Sequence, residues 1–390
     1  MIVQKGVIVR ASIGRKEMLD SVSLTNLLVS ARTIEEIFRN IKIEAVGKTI
    51  SIYGTDRETL IKQDIEEAEI EEEGVVIVPA QKVIDVLTRI LDDKVTISCD
   101  KSGETNAMTI TTKRGNFRIL GLSPEGFIEF PEVDWTGAVE IEPFTLSDMI
   151  KRTIFAAALE RTRYALNGVF VKVGEKKMEM VATDGKRLAR IEKGLGEKTQ
   201  ASPGVIAPVK CMQLLERVCA SATSKGDATV ALKVLESQIC AKTSRSTIIS
   251  RLVEGHYPDY ETVVPKDCDK SLKIDVREFI QLVGEGAALG DRESQSVRFL
   301  FKKGEMSLSS RSANADEAKV ECSVEYEGDD LEIAFNPVYI LEPLKTFDRV
   351  IAKFSFKESG SAAVLTILPI KAEEPLNYTY TYVVMPVDIR

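Results

Sequence analysis

The 390-residue chain has one histidine and one tryptophan, and its six cysteines stand far apart. A lone imidazole excludes most chemistry built on histidine: Ser-His-Asp triads, HExxH zinc sites and paired acid/base imidazoles all need correctly placed partners. His256 lies in the segment GHYPDY, a connector, and is expected to be structural or simply exposed. Cys99, Cys211, Cys219, Cys240, Cys268 and Cys322 form no CxxC pair and have no neighbouring histidine, so neither a zinc site nor a disulfide framework is expected, only buried or free thiols. No apolar run approaches the roughly 18 residues of a membrane span, and the opening MIVQKGVIVRAS lacks the uninterrupted apolar stretch of a signal peptide. A cytoplasmic protein without membrane contact is expected. No GxxxxGK[ST] loop is present, so any use of ATP must belong to a partner. The net charge of −8 argues against a general nucleic-acid coat, although the distribution of charge matters more than its sum.

What the chain does have is length and repetition. Its 390 residues exceed the usual size of one domain, and 44% apolar against 29% charged residues leaves material for several cores. A unit recurs every 128 residues: IKIEAVGKTISIYGTD from Ile41, VFVKVGEKKMEMVATD from Val169 and VRFLFKKGEMSLSSRS from Val297. Each copy alternates apolar and polar residues, turns at Gly47-Lys48, Gly174-Glu175 or Lys303-Gly304, and alternates again to Thr55, Thr183 or Arg311. That is the pattern of a β-hairpin with one buried face. Downstream, residues 75–90, 204–218 and 332–347 each run strand, proline, helix, with Pro79, Pro208 and Pro337 suited to a helix's first turn. A further helix opens each unit, within residues 14–32, 146–161 and 275–292, and each unit closes on an aromatic or Met followed by Pro: Phe130-Pro131, Tyr257-Pro258 and Met385-Pro386. The expectation is an α+β chain of three similar domains, 1–135, 136–262 and 263–390, each with two helices packed on antiparallel sheets.

Tandem units this large do not form a solenoid, whose repeats run about 20–50 residues. Two chains joined head to tail would close six units into a ring. Twelve helices spaced by ~9 Å give a diameter of ~34 Å through their axes, and removing ~5 Å per side leaves ~24 Å, wide enough for a nucleic-acid duplex. Arg89, Arg217 and Lys345 recur at the 128-residue spacing on the second helix of each unit, and Lys82 and Lys210 share helical faces with Arg89 and Arg217. A solvated surface with incidental cations is the plainer alternative, and the repeat favours a basic lining. The acidic run IEEAEIEEEG, residues 65–74, fits an edge strand whose like charges discourage pairing, and outside a ring it would repel DNA.

RYALNGVFV (163–171), VATDGKRLA (181–189), SRLVEGHYPDYETVVP (250–265) and YVVMPV (382–387) together resemble the bacterial sliding clamps, the β subunits of replicative polymerase, over the whole chain. The resemblance implies a head-to-tail homodimeric ring around duplex DNA, loaded by an ATP-driven clamp loader, with no catalytic activity and no cofactor. It implies sequence-independent DNA contact and a hydrophobic cleft that takes short peptides of the replicative polymerase, the loader and repair proteins. Carried over, that cleft comprises Leu166, Thr183, Gly185, Arg187, Leu188, Pro258, Val263, Val383, Met385, Pro386 and Val387, although Leu166 and Leu188 are also plain core candidates. Arg32, Arg161 and Arg163 would lie on DNA-facing loops, Arg163 having an ion-pair role as its alternative. Phe117 and Ile119 would meet Ala288 and Leu289 of a second copy. Lys186 stands where the family often has histidine, and Thr262 and Asp388 where some members have arginine, so peptide preference is expected to differ.

Two other classes compete. An enzyme would centre on Asp184 in ATDGKRL as an aspartyl nucleophile, but Gly185 and Lys186 follow where a second aspartate is needed, and Asp-Gly after a strand marks a turn. A three-domain scaffold that binds proteins but not DNA would share the repeat and lack the ring.

Overall fold

The computed structural model describes residues 9–29, 35–66, 68–102, 105–158, 164–196, 199, 201–290, 296–312, 316–371 and 373–388. The three hairpins form at the expected places: Ile41–Val46 with Thr49–Thr55, Gly168–Val173 with Lys177–Thr183, and Val297–Lys302 with Glu305–Arg311. Six α-helices accompany them among the described residues: α1 Arg15–Asn26, α2 Ala80–Arg89, α3 Pro143–Lys151, α4 Val209–Lys225, α5 Val276–Gly286 and α6 Pro337–Leu344. Their buried positions recur at three and four, as Val276, Phe279, Leu282, Val283 and Gly286 do on α5. The recurring prolines sit at helix entries: Pro79 caps α2, Pro208 ends the strand before α4, and Pro337 opens α6.

Two expectations need correction. The helix read over 146–161 stops at Lys151 and gives way to a 3-10 turn, Ile154–Ala156. Buried Thr153 turns its hydroxyl back onto the carbonyls of Met149 (2.9 Å) and Ile150 (3.2 Å), and such back-bonding competes with the helical ladder. The closing Pro motif is not a structural repeat either. The last strands of the three thirds end at Leu120, Arg251 and Val384, so Met385 follows its strand directly while Tyr257 and Phe130 lie well beyond theirs.

One compact unit comprises residues 1–147 with 210–252. Its five-stranded sheet runs Glu69–Glu72, Val9–Gly14, Lys94–Ser102, Thr105–Thr111, Asn116–Leu120, which puts the acidic run on one edge and Asn116–Leu120 on the other. Its eight-stranded sheet passes from the second third of the chain into the first through the antiparallel pair Ser246–Arg251 and Thr59–Ile65. The hydroxyls of Thr59 and Ser250 bond at 2.9 Å across that pair, and Ser246 donates to Gln63 Oε1 at 3.0 Å. Met18 and Val22 of α1, Val83 and Leu87 of α2, and Ile41, Ile43, Ile50 and Ile52 of the hairpin share one apolar core.

The other unit comprises residues 148–209 with 253–390. It repeats the device: the antiparallel pair Arg187–Gly194 and Tyr378–Val384 carries an eight-stranded sheet from the second third into the last. A four-stranded sheet, ordered Glu317–Ser323, Glu305–Arg311, Val297–Lys302, Leu331–Phe335, ends in the free edge Glu317–Ser323. Phe279, Phe299, Phe301, Phe335, Phe354 and Phe356 are all fully buried here, several of them edge to face or stacked.

Burial raises the cysteine thiols, to about 12 for Cys211 and Cys219 and about 11 for Cys240, because the thiolate loses its hydration. Buried Cys99 is equally shielded from solvent, while Cys268 and Cys322 are half-buried. Alkylation of the native protein at pH 8 is therefore expected to label Cys268 and to spare Cys99, Cys211, Cys219 and Cys240, with all six labelled after denaturation. Mass spectrometry finding rapid native labelling of Cys211 or Cys219 would contradict this packing.

Candidate functional site

The sequence Thr183-Asp184-Gly185-Lys186-Arg187 joins two strands and wires its own turn. Asp184 Oδ1 accepts from the backbone N–H groups of Lys186 (2.9 Å) and Arg187 (3.0 Å), Thr183 Oγ1 accepts from Gly185 N at 3.1 Å, and the Thr183 hydroxyl donates to Arg187 O at 2.6 Å. Gly185 takes φ +87°, a left-handed conformation that glycine adopts without strain. Asp184 is thus spent on a turn, as Asp56 is on its equivalent, where Oδ1 accepts from Thr59 N at 2.8 Å. The nucleophile reading loses its residue.

Arg187 points to the helical side of the sheet and is nearly enclosed, its side chain 10% exposed. Its Nε donates to Asp184 Oδ2 at 3.0 Å, its Nη2 to Phe155 O at 2.7 Å, and its Nη1 to Glu342 Oε2. The guanidinium lies 4.3 Å from the Tyr339 ring centroid, within cation–π reach. Burial opposes its charge, and the hydrogen bond to Glu342 with the negative charges of Glu342 and Asp184 outweighs burial, so its pKa is raised. Tyr382 donates to Tyr339 O at 2.6 Å, fixing α6 against the sheet.

On the opposite face of the sheet Val181, Leu188 and Val383 form a small buried cluster, covered by Phe170, Tyr257, Tyr260 and Val264. Tyr257 donates to Val181 O at 3.3 Å, and Tyr260 to Glu179 Oε2 at 2.9 Å, while Arg190 Nε donates to Oε1 of the same carboxylate at 2.5 Å. These bonds hold the connector that carries Pro258 and Val263, both exposed, Val263 by 54%. Beyond the last strand, Met385 N donates to Lys186 O at 2.9 Å and Val387 N to Ala334 O at 2.8 Å, leaving the Met385 side chain 45% exposed with Pro386 between. Leu166 is buried beside the 3-10 turn region, its carbonyl accepting from Ala158 N at 2.9 Å. Of the predicted cleft residues, Leu166, Thr183, Leu188 and Val383 are buried, whereas Met385, Pro258 and Val263 are exposed.

The sequence reading missed Phe155, Tyr339, Glu342, Tyr257 and Tyr260. Tyr339 and Glu342 sit three apart on α6 and so share a face, but nothing local ties that face to Arg187, 155 residues from Glu342.

Arg32, Arg161 and Arg163 lie outside the described residues. Lys82 and Arg89 are exposed on α2, with Arg89 donating to Asp85 O at 2.6 Å. Arg217 on α4 and Lys345 at the end of α6 are also exposed. Lys210 is the least available of the five, because its ammonium pairs with Asp56 at 2.5 Å and donates to Leu28 O at 3.1 Å. At the sheet edge Phe117 is 39% exposed while Ile119 belongs to the core; Ala288 and Leu289 are exposed after α5.

Three family models describe this chain end to end: the DNA polymerase III beta subunit N-terminal domain over residues 9–134, its central domain over 140–259 and its C-terminal domain over 261–388. The chain belongs to the DNA polymerase III beta subunit family. A beta sliding clamp of Caulobacter vibrioides is 30% identical over 389 residues, covering 97% of this chain and all of that one. A beta sliding clamp of Pseudomonas putida is 28% identical over 378 residues, covering 97% and 99%. A crystal structure of a sliding clamp from Pseudomonas aeruginosa, bound to griselimycin, superposes with a TM-score of 0.86 at 27% identity, over 98% of this chain and 100% of that one. The family's members are processivity factors of replication and not enzymes. No helix among the described residues is long and apolar enough to cross a membrane.

If the exposed end of the last strand takes partner peptides, Met385→Ala should cost the fold little and peptide affinity about 1 kcal/mol or more, since apolar anchors carry much of such interfaces. Fluorescence anisotropy with a polymerase-derived peptide checks this; unchanged affinity would place the partner site elsewhere.

Proposed function

We propose that two copies of this chain close head to tail into a ring that encircles duplex DNA in the cytoplasm and tethers the replicative polymerase, the ATP-driven clamp loader and repair proteins through the Met385 surface. Domains of 1–135, 136–262 and 263–390 are the units of that ring, and Arg89, Arg217, Lys82 and Lys345 are its sequence-independent phosphate contacts.

The repeat itself carries this reading. In each third the strand after the hairpin, Thr59–Ile65, Arg187–Gly194 or Glu317–Ser323, occupies one place in the unit. The first pairs with the closing strand Ser246–Arg251 of the second third, and the second with the closing strand Tyr378–Val384 of the last. Among the described residues Glu317–Ser323 has no such neighbour, and the closing strand Asn116–Leu120 is likewise an edge. One unfilled socket and one unfilled plug per chain are what head-to-tail closure of two copies consumes.

The same logic fixes the register. The ladder Thr96, Thr111, Asn116 matches Ala231, Lys242, Thr247 and Lys353, Thr366, Thr381. Thr247 opposes Lys62 and Thr381 opposes Arg190, so Asn116 should oppose Ala318, the next residue in the 128-residue series. Phe117 then takes the place of Ile248 and Tyr382, which are 1% and 0% exposed because their sheets continue. Lys113 would face Glu321 and Arg118 would face Asp316, opposite charges in both rows.

Oxidation of an Asn116→Cys, Ala318→Cys double variant should therefore yield covalently closed dimers, because directly opposed strand residues bring Cβ atoms within disulfide reach. Lys319→Cys in place of Ala318→Cys points the second thiol to the other face and should not cross-link. Phe117→Asp sets a carboxylate opposite Glu317 and should sediment as monomer at micromolar concentration. Equal cross-linking of both cysteine pairs, or a dimeric Phe117→Asp, would overturn the assignment.

A further inference from the structure

An arginine beside a peptide-binding surface invites the reading that it grips the peptide. In this chain each of the three guanidinium nitrogens of Arg187 already donates inside the protein, to Asp184, Glu342 and Phe155. Its flat face is covered by Tyr339 and its side chain is 10% exposed. These partners come from separate stretches of chain: the turn at Asp184, the 3-10 turn Ile154–Ala156 and α6. The backbone just before Arg187 holds the departing strand, since Lys186 O accepts from Met385 N at 2.9 Å.

We infer that Glu342 is a positioning residue of the partner site: it locks Arg187 between α6 and the Asp184 turn, and the locked arginine holds Tyr339 and the Met385 backbone in the peptide-ready arrangement. Arg187 is then a clasp and not a peptide ligand. This rests on the Met385 surface being the partner site. The chemistry of the clasp favours a coupled effect, because removing Glu342 leaves Nη1 of an enclosed guanidinium without its acceptor. Glu342 is the member that can be altered without opening a core, its carboxylate side chain being 39% exposed. The first unit shows that this closure is a property of the turn and not of the arginine. There Thr59 stands in the repeat position of Arg187, and Lys210 of α4 reaches back to Asp56 instead.

The test is a double-mutant cycle on the full-length dimer, read as affinity for a fluorescent polymerase-derived peptide, with Arg187→Ala, Glu342→Ala, the double variant and Met385→Ala as a control. Each single variant is expected to weaken binding about tenfold, and the double variant no further than either single, the mark of residues acting as one unit. Glu342→Gln, which retains an oxygen acceptor for Nη1, is expected to recover most of the affinity. Unchanged or tighter binding by Glu342→Ala, or additive losses in the cycle, would overturn the inference and make Arg187 a direct contact. If Arg187→Ala does not fold, the comparison of Glu342→Ala with Glu342→Gln decides alone: equal affinities refute the clasp. Met385→Ala separates the two levels. Undiminished binding there refutes the partner site itself, whereas weakened binding there with a silent Glu342→Ala refutes only the role of Glu342.

Discussion

A strand at the edge of an antiparallel sheet presents unpaired N–H and C=O groups, and a protein must cover, blunt or pair them. The architecture follows from how each third of this chain meets that demand. Within each compact unit an eight-stranded sheet runs through a junction between successive thirds, so backbone ladders and not side chains alone join them. One edge, Glu69–Glu72, is blunted by charge. The edges at Asn116–Leu120 and Glu317–Ser323 carry charges of both signs, Arg118 on the first and Glu317, Lys319 and Glu321 on the second, and the first also exposes Phe117. Two complementary unpaired edges per chain make self-association the physical default, and the closed dimer is the finite way to satisfy it.

The two internal junctions share their strand pairing but differ in what surrounds it, which bears on why one of them would receive partners. In the first unit α1 continues to Asn26 and is followed by fully buried Leu28, whose carbonyl Lys210 caps. In the second unit α3 ends at Lys151, and Ala156 stands in the repeat position of Leu28, so the same place holds less side-chain volume. The final strand there leads straight into Met385, whereas the corresponding strand of the first unit leads into Arg251 and a connector. An apolar thioether at a sheet end, next to a short helix and a run of alanines, suits a peptide surface that must accept several sequences.

The hairpins and the proline-led helices were legible in the sequence because each rests on local periodicity repeated three times, and the acidic edge because its charges lie in one contiguous run. The length of α3 was not. Its apolar spacing continues past Lys151, where the chain tightens into the 3-10 turn Ile154–Ala156 and the Thr153 hydroxyl bonds the carbonyls of Met149 and Ile150. The closing Pro motif misled for the opposite reason, a matched spacing without matched structure. At the proposed partner surface the sequence supplied Met385, Leu188 and Arg187 through family resemblance, but not Glu342 or Tyr339, because an ion pair spanning 155 residues leaves no local trace. The basic recurrence at Arg89, Arg217 and Lys345 was legible, whereas the engagement of Lys210 by Asp56 depends on a junction that sequence spacing does not describe.

An anionic chain of net charge −8 has little non-specific affinity for DNA to fall back on, so retention by topology is the property that matters. The most direct measurement loads the protein onto a nicked circular plasmid with a clamp loader, isolates the complex by gel filtration at high salt, and then linearises the DNA. The ring account predicts that the protein stays with the circle and is lost from the linear molecule by sliding off its ends. Equal retention on both forms, or dissociation from the circle at the same salt, would contradict it.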